Sequence, residues 1–173
     1  MTRGEHIKLL VGIIADTHDN MPMIKKAVET LNERNVDLVL HAGDYVAPFV
    51  IPKLNELKTK LIGVFGNNDG DRLLLRKRFS QYEMLDIRGN FTAFLIDGIK
   101  TALLHGDEEE LLKALINSES FGVIVHGHTH KTEITRKKET LIINPGEVCG
   151  YLTGKSTLAL LDTCELEAEV VEL

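Results

Sequence analysis

The sequence predicts an α/β fold of two sheets with helices on their outer sides. Three observations carry that prediction. The first third alternates strand and helix, the remainder is rich in short strands separated by turns, and polar side chains gather where the apolar strands stop.

Residues 7–15 form an almost continuous apolar run, the pattern of a strand covered on both faces. Pro22 suits the first turn of a helix. Behind it Ile24, Ala27, Val28 and Leu31 repeat at helical spacing. Residues 36–41 read as a second buried strand, 49–57 as a short helix despite Pro52, and 60–65 as a third strand. That order implies parallel pairing through right-handed crossovers. Residues 83–88, 91–96 and 99–104 read as strands joined by hairpin turns at Gly89-Asn90 and Asp97-Gly98. Asp107 reads as the cap of a helix with an acidic first turn and apolar Leu111, Leu112, Leu115 and Ile116. Residues 123–126 follow as a strand, 132–136 and 140–144 as a hairpin, and 157–161 and 167–171 as the last two strands.

At 173 residues the chain is expected to be a single domain spanning 1–173, large enough for a proper core. Its 43% hydrophobic and 27% charged residues are ordinary for a soluble protein. No apolar stretch approaches the ~18 residues of a membrane span. The first six residues run straight into a strand-like segment, without a signal-peptide pattern. Cys149 and Cys164 make no disulfide framework, which points to a reduced, cytoplasmic protein. A formal charge of −6 argues against a dedicated binder of long nucleic acid, for which only 72–78 and 131–138 offer basic tracks.

The strands end in chemistry. Asp16-Thr17-His18 closes the first, Gly43-Asp44 the second and Gly66-Asn67-Asn68-Asp69 the third. His105 closes the strand before the acidic helix, and Gly127-His128-Thr129-His130 closes the next. In open α/β sheets the crevice beyond the strand C-termini is where sites form. Asp16 and His18 are two residues apart, so in extended chain both face one way, and the same holds for His128 and His130. With Asp44, Asn67 and His105 these make seven oxygen or nitrogen donors. One ion rarely takes seven side chains; two ions sharing one carboxylate would use all of them. Imidazole, carboxylate and carboxamide without thiolate suit Mn²⁺, Fe²⁺, Ni²⁺ or Zn²⁺. Each fragment alone is commonly a turn or cap. Five of them in order, each closing an apolar strand, are poorly explained that way.

Those ordered motifs resemble the calcineurin-like metallophosphoesterases, and the short length and "NPGEVCGY" at 144–151 resemble the small YfcE-type branch, in particular its archaeal members. The resemblance implies a four-layer α/β/β/α sandwich of two mixed β-sheets flanked by helices. It implies two divalent ions, Mn²⁺ first with Ni²⁺, Fe²⁺, Zn²⁺ or Mg²⁺ as alternatives. Asp16, His18 and His130 would hold one, Asn67, His105 and His128 the other, and Asp44 would bridge. The implied activity is hydrolysis of small phosphodiesters by a two-metal-activated hydroxide, with a homo-oligomer allowed. The alternative is a non-catalytic interaction scaffold of the same fold, like the retromer subunit.

Asn68 stands where many larger members carry a His that protonates the leaving oxygen, and an amide is no general acid near neutral pH. Asp69 is expected to orient a ligand imidazole. His41 and His126 read as structural, Cys149 as packing, and Arg72, Arg76, Lys77 and Arg78 as a solvated helix face.

Overall fold

The computed structural model describes residues 8–173. Residue 7, expected to open the first strand, and the first six residues lie outside the described residues. The elements are β1 (Leu10–Ile14), α1 (Met21–Glu33), β2 (Leu38–His41), a 3₁₀ turn (Pro48–Val50) running into α2 (Ile51–Leu54), β3 (Leu61–Gly63), α3 (Arg72–Phe79) and β4 (Leu85–Ile87). Then come β5 (Phe91–Ile96), β6 (Ile99–Leu104), α4 (Glu109–Asn117), β7 (Val123–Val125), β8 (Thr132–Lys137), β9 (Thr140–Pro145), β10 (Thr157–Asp162) and β11 (Glu167–Glu172).

The strands form two mixed sheets. One has the order β11-β10-β1-β2-β3-β4, the other β5-β6-β7-β9-β8. In the first, β1 to β4 run parallel, and β10 and β11 complete it antiparallel. In the second, β6, β7 and β9 are parallel between antiparallel edges.

Three apolar clusters mark the layers. Ile24, Val28 and Leu31 of α1, Leu54 of α2, and Leu75 and Phe79 of α3 cover the first sheet at Ile14, Val39 and Leu61. Val11, Ile13, Leu40, Leu103, Val125 and Ile143 fill the space between the sheets. Leu112, Leu115 and Ile116 of α4 pack on Ala102, Leu104 and Ile124 of the second sheet. This is the four-layer order, and the central layer explains why β1 alternates nothing: both its faces are covered. The four buried residues of α1 are those at helical spacing, and Ile24, Val28 and Leu31 each stabilise by ~1.5–3 kcal/mol.

The structure corrects two of the expected connections. Gly89-Asn90 is no hairpin: β4 pairs with β3 in one sheet and β5 with β6 in the other, so the chain there passes between sheets. A turn dipeptide fixes a bend, not the partner of the next strand. Asp107 does not cap α4 either; the N-cap is Glu108, and no side-chain oxygen caps that end.

Candidate metal centre

All seven predicted donors come together at the C-terminal ends of β1, β2, β3, β6 and β7, where the loops of both sheets meet. They form two clusters. In the first, Asp16 Oδ1 lies 3.7 Å from His18 Nε2 and 3.5 Å from His130 Nε2. In the second, Asn67 Oδ1 lies 2.9 Å from His105 Nε2 and 3.0 Å from His128 Nδ1. Asp44 touches both, its Oδ2 lying 3.3 Å from His18 Nε2 and 3.4 Å from His105 Nε2.

Strand alternation is not what aims these side chains. The donors lie past the strand ends, and five of the seven have positive φ: Asp16 (51°), His18 (38°), Asp44 (62°), His128 (68°) and His130 (61°). Left-handed backbone at non-glycine residues is costly, by roughly 1 kcal/mol or more each. Ladder-like bonds between loops hold it. Thr17 and His18 N–H both donate to the Asp44 carbonyl at 3.1 Å. His128 N–H donates to Asp16 Oδ2 at 3.1 Å, tying the two sheets' loops together. Two glycines permit the approach. A Cβ at Gly66 would overlap the Asp44 carboxylate, and one at Gly127 would stand 2.9 Å from Asp16 Oδ2.

The donor set fits divalent ions. Ligand atoms bound at ~2.0–2.2 Å to one ion stand ~3–3.5 Å apart, close to the spacings here. Asp16 Oδ1 and His18 Nε2 are buried without a hydrogen-bond partner among the described residues. His105 Nδ1 donates to the Ala42 carbonyl at 2.7 Å, which leaves Nε2 facing the oxygens of Asn67 and Asp44. Lone pairs aimed at lone pairs call for a cation between them. In the metal-free chain a proton answers that call. The Asp16 and then Asp44 carboxylates raise His18 to about 9. Burial lowers His105, but Asp44 outweighs it and the net shift is upward. Burial alone would raise the Asp44 carboxyl, yet His105 and His18 hold it well below the usual range.

An ion held by His18 would have to displace the proton on that ring. With that pKa raised to about 9, apparent metal affinity is expected to climb with pH up to about 9 and level off above it. The slope is about tenfold per pH unit for one proton. Titration calorimetry with Mn²⁺ at stepped pH measures it; a flat profile would contradict the assignment.

Sequence reasoning missed Glu147. Wholly buried, it accepts the His130 Nδ1 proton at 2.7 Å, the Cys149 thiol at 2.9 Å, backbone N–H from Tyr151, Leu152 and Thr153, and the Thr153 hydroxyl. Burial would raise its pKa, but these donors bring it down to about 2. A carboxylate that takes the Nδ1 proton leaves the Nε2 lone pair of His130 for the metal cluster. Glu in the "NPGEVCGY" stretch was the available signal, but nothing in spacing alone pairs it with His130. Glu147→Gln is expected to weaken metal binding by ~10–100-fold. It should also cost ~1–3 kcal/mol of stability, since both carboxylate oxygens face donors. Metal titration and thermal melting check the two effects separately.

Other residues fall into place around the centre. Among the described residues Asp69 touches no imidazole, contrary to expectation. Its Oδ2 accepts Gly66 N–H at 2.7 Å and Asp44 N–H at 3.2 Å, and its Oδ1 accepts Val46 N–H at 2.8 Å. It holds the loops carrying Asp44 and Asn67 instead. Asn68 donates to Asp44 twice, through its backbone N–H at 2.8 Å and its amide Nδ2 at 2.7 Å. Arg72 is not a solvated helix residue: it donates to the Gly66 carbonyl at 2.8 Å and the Asp69 carbonyl at 3.2 Å, clamping the metal loop. His41 is buried, stacked on Tyr45 and 3.2 Å from the Thr17 hydroxyl. Cys149 is an inert thiol, pushed to about 12 by burial and by Glu147.

Comparison with known proteins returns one family. A model of the Calcineurin-like phosphoesterase superfamily domain matches residues 9–166. A phosphodiesterase of Methanocaldococcus jannaschii is 39% identical over 94% of this chain and 98% of its own length. The solved structure of a novel archaeal phosphodiesterase superposes with a TM-score of 0.90 at 39% identity, covering 95% of this chain and 100% of that one. Vacuolar protein sorting 29 of Cryptosporidium parvum shares the fold at a TM-score of 0.65 and 18% identity, over 96% and 97% of the two chains.

Proposed function

The chain belongs to the calcineurin-like phosphoesterase superfamily, and from that premise we propose that it is a cytoplasmic phosphodiesterase whose seven donors hold two divalent ions, Mn²⁺ foremost. The observation that carries the reading is Asp44, one carboxylate oxygen between an imidazole of each cluster.

Divalent ions bound there would supply Lewis-acid charge to phosphoryl oxygens and lower the pKa of a water. The chain's own residues set the electrostatics. Asp16 and Asp44 are the two carboxylates among the seven donors, so an ion pair leaves a formal charge of about +2, a seat for a phosphate in an otherwise acidic protein. Glu147 holds His130, the Ala42 carbonyl holds His105, and Asp69 and Arg72 hold the loops, so the donors are positioned before anything binds. Asn68 fixes Asp44 but carries no proton to give. His126 Nδ1 lies 3.3 Å from the Gly127 carbonyl and 3.4 Å from the Asn144 amide, and its Nε2 faces Glu133. Esters with good leaving groups are therefore the best substrates.

The test is a matrix of single metals, reloaded onto stripped protein, against aryl diesters, aryl monoesters, cyclic nucleotides and dinucleotides. The expected result is Mn²⁺-dependent hydrolysis of bis(4-nitrophenyl) phosphate faster than of 4-nitrophenyl phosphate. Silence with every metal would leave the second reading, a non-catalytic scaffold, which the amide at Asn68 favours.

A further inference from the structure

Beside His128 lies a cavity of about 380 Å³ that the metal centre does not use. It sits between α4 and the sheet, floored by Leu112, Ile116 and Ile142 and walled by His126. Helix α4 buries none of its residues fully, although its apolar stripe faces Ala102, Leu104 and Ile124. The stripe is left half-buried along this cavity. His126 is 3% exposed, and its Nε2 stands 3.6 Å from Glu133 Oε2, beyond hydrogen-bond length. The rim is acidic. Asp107, Glu109 and Glu133 face one ammonium, Lys113, for a formal charge of −2 (three carboxylates less one cation). Lys113 is itself committed to Glu109 at 2.8 Å and Glu110 at 3.2 Å.

We propose that this cavity seats one ester arm of the phosphodiester, and that the arm it takes is partly apolar and neutral or cationic: an aromatic ring or an ammonium-bearing chain. The inference rests on the reading that phosphate binds at the metal centre. His128 belongs to both places, so a phosphate held there has an arm adjoining the cavity. The volume is at the small end for ligand sites, room for one ring and not for a polymer. The apolar floor rewards desolvating such a group, and the acidic rim repels an arm with a second phosphate or a carboxylate.

Calorimetry on the Mn²⁺-loaded protein tests this without needing turnover. The probes are methylphosphonate, which has no arm, phenylphosphonate, 3-aminopropylphosphonate and 3-carboxypropylphosphonate. Phenyl and aminopropyl arms are expected to improve affinity over methyl by about tenfold. Glu133 is an exposed position on β8, so Glu133→Lys should fold; it is expected to abolish the aminopropyl gain and improve carboxypropyl binding. Ile116→Trp, filling the cavity, should abolish the phenyl gain. Arm preferences absent from the wild-type protein, or unchanged in both variants while methylphosphonate still binds, would overturn the inference alone. No binding of methylphosphonate would remove the metal-centre reading, and this inference with it.

Discussion

Asn68→His is expected to flatten the dependence of rate on leaving group, by as much as ~10²–10⁴-fold for the poorest leaving groups. In the wild-type protein Asn68 is exposed at the edge of the centre and spends its amide on Asp44 Oδ2 at 2.7 Å. An amide holds that carboxylate but donates no proton to a departing oxygen, so the leaving group is expected to bear its own negative charge and rates to fall steeply as its pKa rises. An imidazole at the same position can keep a hydrogen bond to Asp44 or turn to the leaving oxygen. The gain depends on placement, since ~1 Å of error forfeits much of it. The measurement is chemical-step rates over graded aryl and alkyl diesters, with both proteins saturated in Mn²⁺. A shallow dependence in the wild type would mean that another acid is present and that Asn68 is not the vacant acid position.

Asp44→Asn should disable the protein more completely than Asp69→Asn. Asp44 sets one carboxylate oxygen within 3.4 Å of an imidazole of each cluster, and its charge opposes both His18 and His105. An amide there removes that charge and presents N–H₂ to a neighbour. Metal content is expected to fall for both ions and the rate by ~10³-fold or more, beyond the ~10–100-fold usual for an outer carboxylate. Asp69 acts through the backbone. Replacing one of its oxygens by N–H₂ sets a donor against Gly66, Asp44 or Val46 N–H, at ~1–3 kcal/mol. Asp69→Asn should therefore melt earlier while retaining both ions when metal is in excess. Equal losses of metal and rate in the two variants would contradict these roles.

The sequence made the donors legible because each closes an apolar strand, and parallel strands deliver their C-terminal ends to one side. The layers were legible for a related reason: β1 is apolar on both faces only if it is covered on both. What could not be read was pairing at a distance. Gly89-Asn90 looks like a hairpin whether the next strand returns to the same sheet or crosses to another. Glu147 lies 17 residues from His130 in sequence, and only the fold brings its carboxylate to that ring. The left-handed backbone at Asp16, His18 and Asp44 was equally hidden: Asp and His enter that region more readily than most residues, but sequence does not mark where. Asp69 was expected against an imidazole, but its partners are backbone N–H groups, which sequence does not mark.

Everything proposed for catalysis depends on two ions sharing Asp44. An anomalous-difference map from a crystal soaked in Mn²⁺ and measured at the manganese edge tests it most directly. Two peaks ~3.5–4 Å apart are expected, one among Asp16, His18 and His130, the other among Asn67, His105 and His128, with Asp44 touching both. No peak at Asp44 under saturating Mn²⁺, or a single peak with the second cluster empty, would contradict it.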